Sequence, residues 1–231
     1  SFQWIRNSHC VGAAQLQLVV HDGAKTKRIL YSSDRVSIKP KNHYVQNTEI
    51  PSMFNDISIM ESTYGAAGRE RSKKRSFDVE HLKTAVDTVI ERGGTAILPC
   101  FSFSRTQEIA TTLYEIYGGQ KSFCTPVLID SKLSCDISKI YSQILTDNDL
   151  KLWNNVCNWE NVHFIEEKEE SRVFVNNSKP KIVIASSGFC TNGRVIAYLK
   201  QYLKDPNSMV IFSGYTGDNP SYLSYRIKNG K

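Results

Sequence analysis

The stretch GGTAILPCFSFSRTQE, residues 93–108, joins the end of one helical pattern, a buried strand and the start of another helix. The two glycines end the first pattern, since glycine disfavours helix and accepts the backbone conformation of a helix C-terminus. Residues 95–100 form an apolar run, and residues 106–117 have helical spacing. A strand that is apolar along its whole length is typical of a parallel sheet covered on both faces. The stretch therefore predicts an α/β fold.

The same alternation extends away from this stretch. Residues 77–91 place apolar side chains at helical spacing. Further strands are predicted at 127–130, 162–165, 181–185 and 209–213, and further helices at 135–145 and 193–203. Residues 168–179 are predicted to form an irregular surface loop. Repeated β-α units predict a mainly parallel, doubly wound sheet.

The first quarter of the chain has a different, β-rich pattern. Residues 14–20 alternate apolar and polar side chains, a turn is predicted at 21–23, and residues 28–31 form the returning strand. Residues 57–60 are one more short strand, which ends at Glu61. We therefore predict a β-rich domain over residues 1–61 and the α/β domain over residues 62–231.

Composition limits the class of protein. The 231 residues are 40% hydrophobic and 23% charged, as in an ordinary soluble globular protein. The sequence contains no apolar stretch of about 18 residues, so it predicts no membrane span, and the first six residues do not resemble a signal peptide. The six cysteines contain no CxxC pair, which favours reduced thiols and a cytoplasmic location. A net charge of +6 permits a polyanionic partner such as nucleic acid without requiring one.

Candidate binding residues follow the predicted strands of the α/β domain. Ligands of such sheets bind beyond the carboxyl ends of the strands. That rule selects residues 101–105, 130–131, 186–193 and 214–215. The residues predicted to bind substrate are Arg105, Ser186, Ser187, Gly188, Arg194 and Tyr215. The serine-glycine loop could present backbone N–H groups to a phosphate, or it could be only a tight turn. Arg105 could hold a phosphate or could pair with Glu108.

Candidate metal and catalytic residues lie in the β-rich part. His9 and Asp34 combine an imidazole with a carboxylate, which suits zinc, although each could equally be a turn residue. Glu61 could orient a metal-bound histidine or could cap a turn. A basic run could track phosphates or form a solvated face, and its members are Arg69, Arg71, Lys73, Lys74 and Arg75.

Several segments, in this order, resemble the motifs of the metallo-β-lactamase hydrolases that carry a β-CASP domain. Residues 8–14, SHCVGAA, resemble the third metal-binding motif, and residues 31–34, YSSD, resemble the fourth. Residues 61–65, ESTYG, resemble the acidic β-CASP motif. Residues 93–108, the Asp130-Ser131 pair and residues 185–194, ASSGFCTNGR, resemble later motifs of the same domain. The family includes bacterial and archaeal ribonucleases and the eukaryotic endonuclease of pre-mRNA 3′-end processing.

The resemblance implies a fold and an activity. Residues 1–61 would be part of a metallo-β-lactamase αββα domain, and residues 62–231 would be the β-CASP domain. The intact enzyme would hold two zinc ions, whose bridging hydroxide attacks an RNA phosphodiester. His9 and Asp34 would be metal ligands, with Asp34 bridging the two ions, and Glu61 would orient a ligand or assist proton transfer. Arg105 and the loop Ser186-Ser187-Gly188 would hold the RNA backbone.

The chain also departs from the family pattern. The H-x-H-x-D-H motif would precede residue 1, and two later histidine motifs would follow residue 231. Serines stand at positions 33 and 104, where the family has glycine, and residues 218–221 replace a G-T-L-G sequence. We therefore expect this portion alone to hold no two-zinc centre and to be inactive. The alternative is a non-catalytic β-CASP scaffold that binds RNA or a protein. The sequence leaves open whether the substrate could be DNA and whether the protein forms a homodimer.

Overall fold

The computed structural model describes residues 1–35, 42–63, 65 and 75–230, with the backbone alone for residues 75–77. The chain divides into two compact units, Ser1–Lys73 and Lys74–Lys231. Tyr64 of the ESTYG segment lies outside the described residues, as does the basic run from Arg69 to Lys74. The assignment of residues 1–61 to one domain and of residues 62–231 to another stays a prediction.

The first unit contains a four-stranded sheet. Its strands are β1 (Phe2–Arg6), β2 (Ala14–Asp22), β3 (Lys25–Tyr31) and β4 (Ile57–Ile59), in the order β1-β2-β3-β4. Strand β2 is antiparallel to both of its neighbours, whereas β3 and β4 are parallel. Strands β1, β3 and β4 therefore all end at the same edge of the sheet, which is where the candidate metal residues follow. The β-rich character predicted for this part of the chain is confirmed.

The second unit contains a parallel sheet of five strands. These are β5 (Thr95–Pro99), β6 (Val127–Asp130), β7 (Val162–Ile165), β8 (Lys181–Ala185) and β9 (Met209–Val210), in the order β7-β6-β8-β5-β9. Every pairing in this sheet is parallel. Strands β5, β6 and β8 are buried along their whole length, which fits their mainly apolar sequences. The predicted parallel sheet is confirmed.

Helices cover both faces of this sheet. They are α1 (Arg75–Glu91), α2 (Arg105–Tyr117), α3 (Lys132–Ile144), α4 (Asp147–Cys157), α5 (Lys168–Asn176), α6 (Val195–Tyr202) and α7 (Leu223–Lys228). From β5 to β7 the chain advances across the sheet in one direction, and from β7 to β9 it returns. Right-handed crossovers in opposite directions lie on opposite faces, so α2 and α3 cover one face and α5 and α6 cover the other. The sheet is doubly wound as predicted.

Some predicted bounds differ from the structure, since residues 21–22 of the predicted turn belong to β2 and the strand predicted at 209–213 ends at Val210. One predicted element was of the wrong kind. Residues 168–179 were expected to be an irregular loop, but Lys168–Asn176 is helix α5. The charged residues that suggested a loop lie on its solvent side, while Phe174 and Val175 pack against the buried cluster under α6. Glu169 and Glu170 stand in the first turn, where the helix dipole favours negative charge. Helices α4 and α7 and strand β1 were not predicted.

The six cysteines are free thiols. Cys100 and Cys135 are buried, and burial raises the pKa of each thiol to about 11. These thiols are therefore protonated at neutral pH and serve as small apolar core residues. None of the described helices combines the length and the hydropathy that a membrane span needs.

Candidate functional site

Three loops of the first unit meet at one edge of its sheet. The loop after β1 carries His9, the segment after β3 carries Asp34, and the segment after β4 begins at Glu61. The two ligand candidates are exposed and Glu61 is half-buried. The fold thus brings an imidazole and two carboxylates, far apart in the sequence, to one accessible edge.

Asn7 ties two of these loops together. Its side chain is buried, its Oδ1 accepts the His9 backbone N–H at 2.9 Å, and its Nδ2 donates to the carbonyl oxygen of Asp34 at 3.1 Å. The same Nδ2 lies 3.2 Å from the carbonyl oxygen of Ser32. A buried amide whose two ends are both bonded fixes the loops that it joins. Asn7 was not predicted from the sequence, because the strand that precedes it was not predicted either.

Ser32 and Glu61 link the Asp34 segment to the end of β4. The Ser32 N–H donates to Ile59 O at 2.9 Å, and the Glu61 N–H donates to Ser32 Oγ at 3.2 Å. The backbone N–H of Thr63 donates to Glu61 Oε2 at 2.8 Å and lowers the pKa of that carboxyl, to which the Arg35 backbone N–H and the charge of His9 also contribute. Glu61 is therefore an ionised carboxylate whose hydrogen bonds hold its neighbours in place.

The described residues supply only part of the ligands that a metal ion needs. His9 and Asp34 are chemically suited to zinc, but a zinc site takes three or four protein ligands. Among the residues that the structure describes, no group of three or more His, Cys, Asp or Glu side chains is arranged to hold a metal ion. Cys10 lies beside Asp34, and partial burial followed by the Asp34 charge raises the pKa of its thiol.

In the second unit, three serine hydroxyls meet at the carboxyl ends of neighbouring strands. Ser102, Ser131 and Ser186 follow β5, β6 and β8, which are adjacent in the sheet. The Ser131 hydroxyl lies 3.2 Å from that of Ser102 and 3.1 Å from that of Ser186, and it also caps α3 by accepting the Ser134 N–H. The three hydroxyls therefore hold the loops of this edge together.

The predicted phosphate loop, Ser186-Ser187-Gly188, makes hydrogen bonds to the residues that follow it in the same loop. Ser187 exchanges backbone and hydroxyl hydrogen bonds with Asn192 and accepts the Thr191 N–H at 3.2 Å. Gly188 is buried beneath an aromatic ring, since a Cβ at this position would lie 3.1–3.3 Å from ring atoms of Phe101. Ser187 remains half-exposed. Substrate contact by Ser186, Ser187 and Gly188 stays a prediction, and the geometry gives Gly188 a supporting position.

Arg194 is committed to an internal ion pair. Its guanidinium donates to Asp130 Oδ1 at 2.7 Å and to Ile165 O at 2.8 Å, and Asp130 is fully buried. The second Asp130 oxygen accepts hydroxyl hydrogen bonds from Ser171 and Tyr198, each at 2.6 Å. Arg194 was predicted to bind substrate, but these contacts direct its donors into the domain, so we leave it out of the RNA surface proposed below.

Arg105 is placed differently. It is the first residue of α2, is half-buried, and lies beside Gly214 in the segment after β9. No ion pair of its guanidinium stands among those of the residues that the structure describes, and the buried Glu108 has interactions of its own. Its donors are therefore available to a phosphate.

An unusual turn directs the residues around Arg105. Ser104 has φ 65° and ψ −53°, and the Arg105 N–H donates to Phe103 O at 2.7 Å. These values define a γ-turn with positive φ, which is rare and strained. Glycine adopts positive φ freely, so the serine in place of the family's glycine occupies the position that most needs glycine. Ser33 has the same property, with φ 54°.

Aromatic side chains surround this turn. Phe101, Phe103 and Tyr215 are exposed by 47%, 45% and 62%. The half-buried Phe189 contacts two of them edge to face, with ring centroids 5.1 Å from Phe101 and 6.2 Å from Tyr215. We call these four residues the aromatic edge. Only Tyr215 among them was predicted to bind substrate, although the other three lie in the ranges that follow the predicted strands.

Comparisons with known proteins agree with this fold. The family model of the Beta-Casp domain matches residues 106–220. An RNase J-like protein of Methanocaldococcus jannaschii is 30% identical over 94% of this chain and 49% of its own length. The transcription termination factor FttA of Pyrococcus horikoshii is 28% identical over 96% of this chain and 34% of its own length. The endoribonuclease YSH1 of Kluyveromyces lactis is 25% identical over 93% and 28%.

These matches and the parallel sheet identify a β-CASP protein. The chain belongs to the metallo-β-lactamase family whose members carry a β-CASP domain. It spans about half the length of the RNase J-like protein and about a third of the length of the other two relatives.

Proposed function

We propose that this chain is part of a metal-dependent ribonuclease. The observation that carries the proposal is the set of hydrogen bonds through Asn7 and Ser32, which brings His9, Asp34 and Glu61 to one edge of a sheet. Relatives named as RNase J-like protein and endoribonuclease support RNA as the substrate. Imidazole and carboxylate donors support zinc as the metal. DNA cleavage, a homodimer and a cytoplasmic location stay predictions.

Each residue has a specific task in this proposal. His9 and Asp34 hold the metal together with ligands from outside the described residues, and a bound metal supplies an activated water and stabilises charge on the phosphate. Glu61 is a positioning residue, because its carboxylate accepts the Thr63 and Arg35 backbone N–H groups and so steadies the Asp34 segment. Arg105 holds an RNA phosphate in the second unit.

The test is RNA cleavage by the protein expressed from its complete reading frame. Labelled RNA, and DNA of the same sequence, are incubated with the zinc-loaded protein. We expect cleavage of RNA that a chelator abolishes and that falls by at least about 100-fold in Asp34→Ala, the order of loss seen when charge stabilisation is removed from an active site. Asp22→Ala is the matched control, since this exposed carboxylate ends β2 at the opposite edge of the same sheet.

Three outcomes oppose the proposal. If neither nucleic acid is cut while RNA still binds, the protein is a non-catalytic scaffold. If DNA alone is cut, the proposed substrate is wrong. If Asp34→Ala is as active as Asp22→Ala, cleavage does not depend on the loops that Asn7 joins.

A further inference from the structure

The aromatic edge exposes large apolar rings that the proposed chemistry does not use. Phe101, Phe103 and Tyr215 present about half or more of their surface to solvent. Phe189 contacts both Phe101 and Tyr215, so three of the rings form one continuous group. A connected, exposed apolar group of this kind marks a binding surface more often than a solitary exposed side chain does.

The rings are held in position by the loops beneath them. Phe101 lies against Gly188, where the absence of a side chain leaves room for the ring. The Phe101 carbonyl oxygen accepts the Thr106 hydroxyl at 2.9 Å and the Thr106 N–H at 3.2 Å, which fixes the backbone of this residue at the start of α2. Phe189 stacks on Tyr222 with the ring centroids 4.7 Å apart. Rigid rings lose little conformational entropy when a flat ligand covers them.

The charge beside the rings identifies the ligand. The Arg105 N–H closes the turn onto Phe103, and the guanidinium lies beside Gly214, the residue before Tyr215. Its guanidinium has no recorded ion pair among the described residues. Flat apolar faces next to a cation that can take a phosphate match a nucleotide chain, whose bases and phosphates alternate.

We propose that the aromatic edge is a stacking platform for unpaired RNA bases, with Arg105 holding an adjoining phosphate. The proposal rests on the proposed function for RNA as the ligand. It adds the residues that distinguish unpaired from paired RNA. Bases in a duplex already stack on their neighbours, so only unpaired nucleotides can place a base face on the rings. Every base has such a face, so binding tolerates changes of sequence.

The experiment measures binding of short fluorescent RNA oligonucleotides to the 231-residue chain, with a chelator present to prevent cleavage. Single strands of mixed sequence are compared with the same strand in a duplex. We expect the single strand to bind at least about 10-fold more tightly than the duplex. Phe101→Leu and Tyr215→Leu should each weaken single-strand binding by roughly 5- to 150-fold, the effect of losing one base stack.

A second readout separates stacking from a general loss of structure. An oligonucleotide that carries 2-aminopurine loses fluorescence when this base stacks on a ring. We expect quenching with the unmodified chain and with Phe101→Tyr, which keeps an aromatic face, and no quenching with Phe101→Leu. Leu133→Ala is the control, since this 60% exposed apolar residue lies on α3 and outside the aromatic edge.

The outcomes distinguish the platform from the nuclease. Equal affinity and equal quenching for the unmodified chain, Phe101→Leu and Tyr215→Leu would overturn the platform, even if the longer protein cleaves RNA. Duplex binding as tight as single-strand binding would also overturn it, as would binding of a proline-rich peptide with none of RNA. Ring-dependent binding of single strands in a protein that cuts no RNA would leave the platform standing and remove the proposed activity.

Discussion

Two arginines at the carboxyl edge of the same parallel sheet have opposite surroundings. Arg194 precedes α6 and is bonded to the fully buried Asp130 and to a strand carbonyl. Arg105 begins α2, has no recorded ion pair within the described residues and stands among exposed rings. Position relative to a strand selected both from the sequence, yet only one has its donors available to a ligand. The partners of a charged group, rather than its place in the topology, separate structural from binding residues.

The largest effect that tests this contrast is on stability. Arg194→Ala leaves the Asp130 carboxylate buried without its cation, so we expect the free energy of unfolding to fall by about 3–5 kcal/mol in urea denaturation. Arg172→Ala is the control, because its ion pair with Glu169 is exposed and worth less than about 1 kcal/mol. Adding Asp130→Asn to Arg194→Ala should recover part of the loss, since it removes the unpaired charge. A loss as small as that of Arg172→Ala would contradict the contrast.

The corresponding change at Arg105 should act on binding. We expect Arg105→Ala to weaken RNA binding by roughly 1–3 kcal/mol, the range for a charge-assisted hydrogen bond, and to reduce the salt dependence by about one phosphate contact. The free energy of unfolding should change by less than about 1 kcal/mol. Affinity titrations at several salt concentrations and a urea denaturation curve provide both values. A large stability loss with unchanged affinity per folded molecule would make Arg105 structural as well.

A third cation, Lys181, sharpens the comparison because it is buried without a recorded carboxylate partner among the described residues. Its ammonium donates to Thr95 Oγ1, to Lys179 O and to the Tyr202 hydroxyl, and burial lowers its pKa to about 8. In the unfolded chain a lysine titrates near 10.4. Between these values the unfolded state binds more protons than the folded state, so the contribution of Lys181 to stability rises with pH.

Lys181→Met isolates that contribution. The difference in unfolding free energy between the unmodified chain and this variant should be constant below pH 8. It should then shift in favour of the unmodified chain as the pH rises towards 10, by at most about 1.4 kcal/mol per pH unit, the limit for one proton. Other titrating groups cancel in the difference. A difference that falls with pH would mean that the folded state favours the charged lysine.

The smallest expected effect is at the turn that directs Arg105. Ser104→Gly should raise the free energy of unfolding by about 0.5–1 kcal/mol, because relief of the positive φ exceeds the entropy that glycine adds to the unfolded chain. Ser122→Gly is the control, since Ser122 is exposed and is not among the residues with positive φ, and it should lose stability. A loss in both variants would show that the strain at Ser104 is negligible. Thermal denaturation is the measurement.

The parallel sheet was predictable because its central strands carry an unambiguous signal. Residues 127–130, 162–165 and 181–185 are strands with the predicted bounds. Strands β6 and β8 are buried on both faces, and a short, mainly apolar run in that position leaves little choice. Helix α5 was missed because its charged solvent face outweighed Phe174 and Val175 in a short segment. Gln15 and Gln17 show a second limit, since they are buried and hydrogen-bonded to Glu49 O and Asn55 Oδ1. Alternation predicted the strand there, and only the structure reveals that a polar face is covered.

The candidate site was less predictable. The resemblance to the family selected His9, Asp34, Glu61 and Arg105, but it gave no sign of the Asn7 side chain that joins the loops. Exposure of Phe101 and Phe103 was also hidden, because aromatic residues beside a buried strand usually belong to the core. Arg194 shows the opposite case, in which a motif residue is held inside the domain by Asp130. Pairing and exposure are tertiary properties that no local pattern records.

Crosslinking tests the central claim most directly, because it reports which side chains touch the RNA. A single-stranded RNA that contains 4-thiouridine is bound to the chain, irradiated and digested, and the labelled peptides are mapped by mass spectrometry. We predict crosslinks at Phe101, Phe103 or Tyr215, which decrease when Arg105→Ala weakens binding and disappear when a complementary strand pairs with the RNA. Crosslinks confined to other segments, such as the basic run at residues 69–75, with the aromatic edge unlabelled, would contradict it.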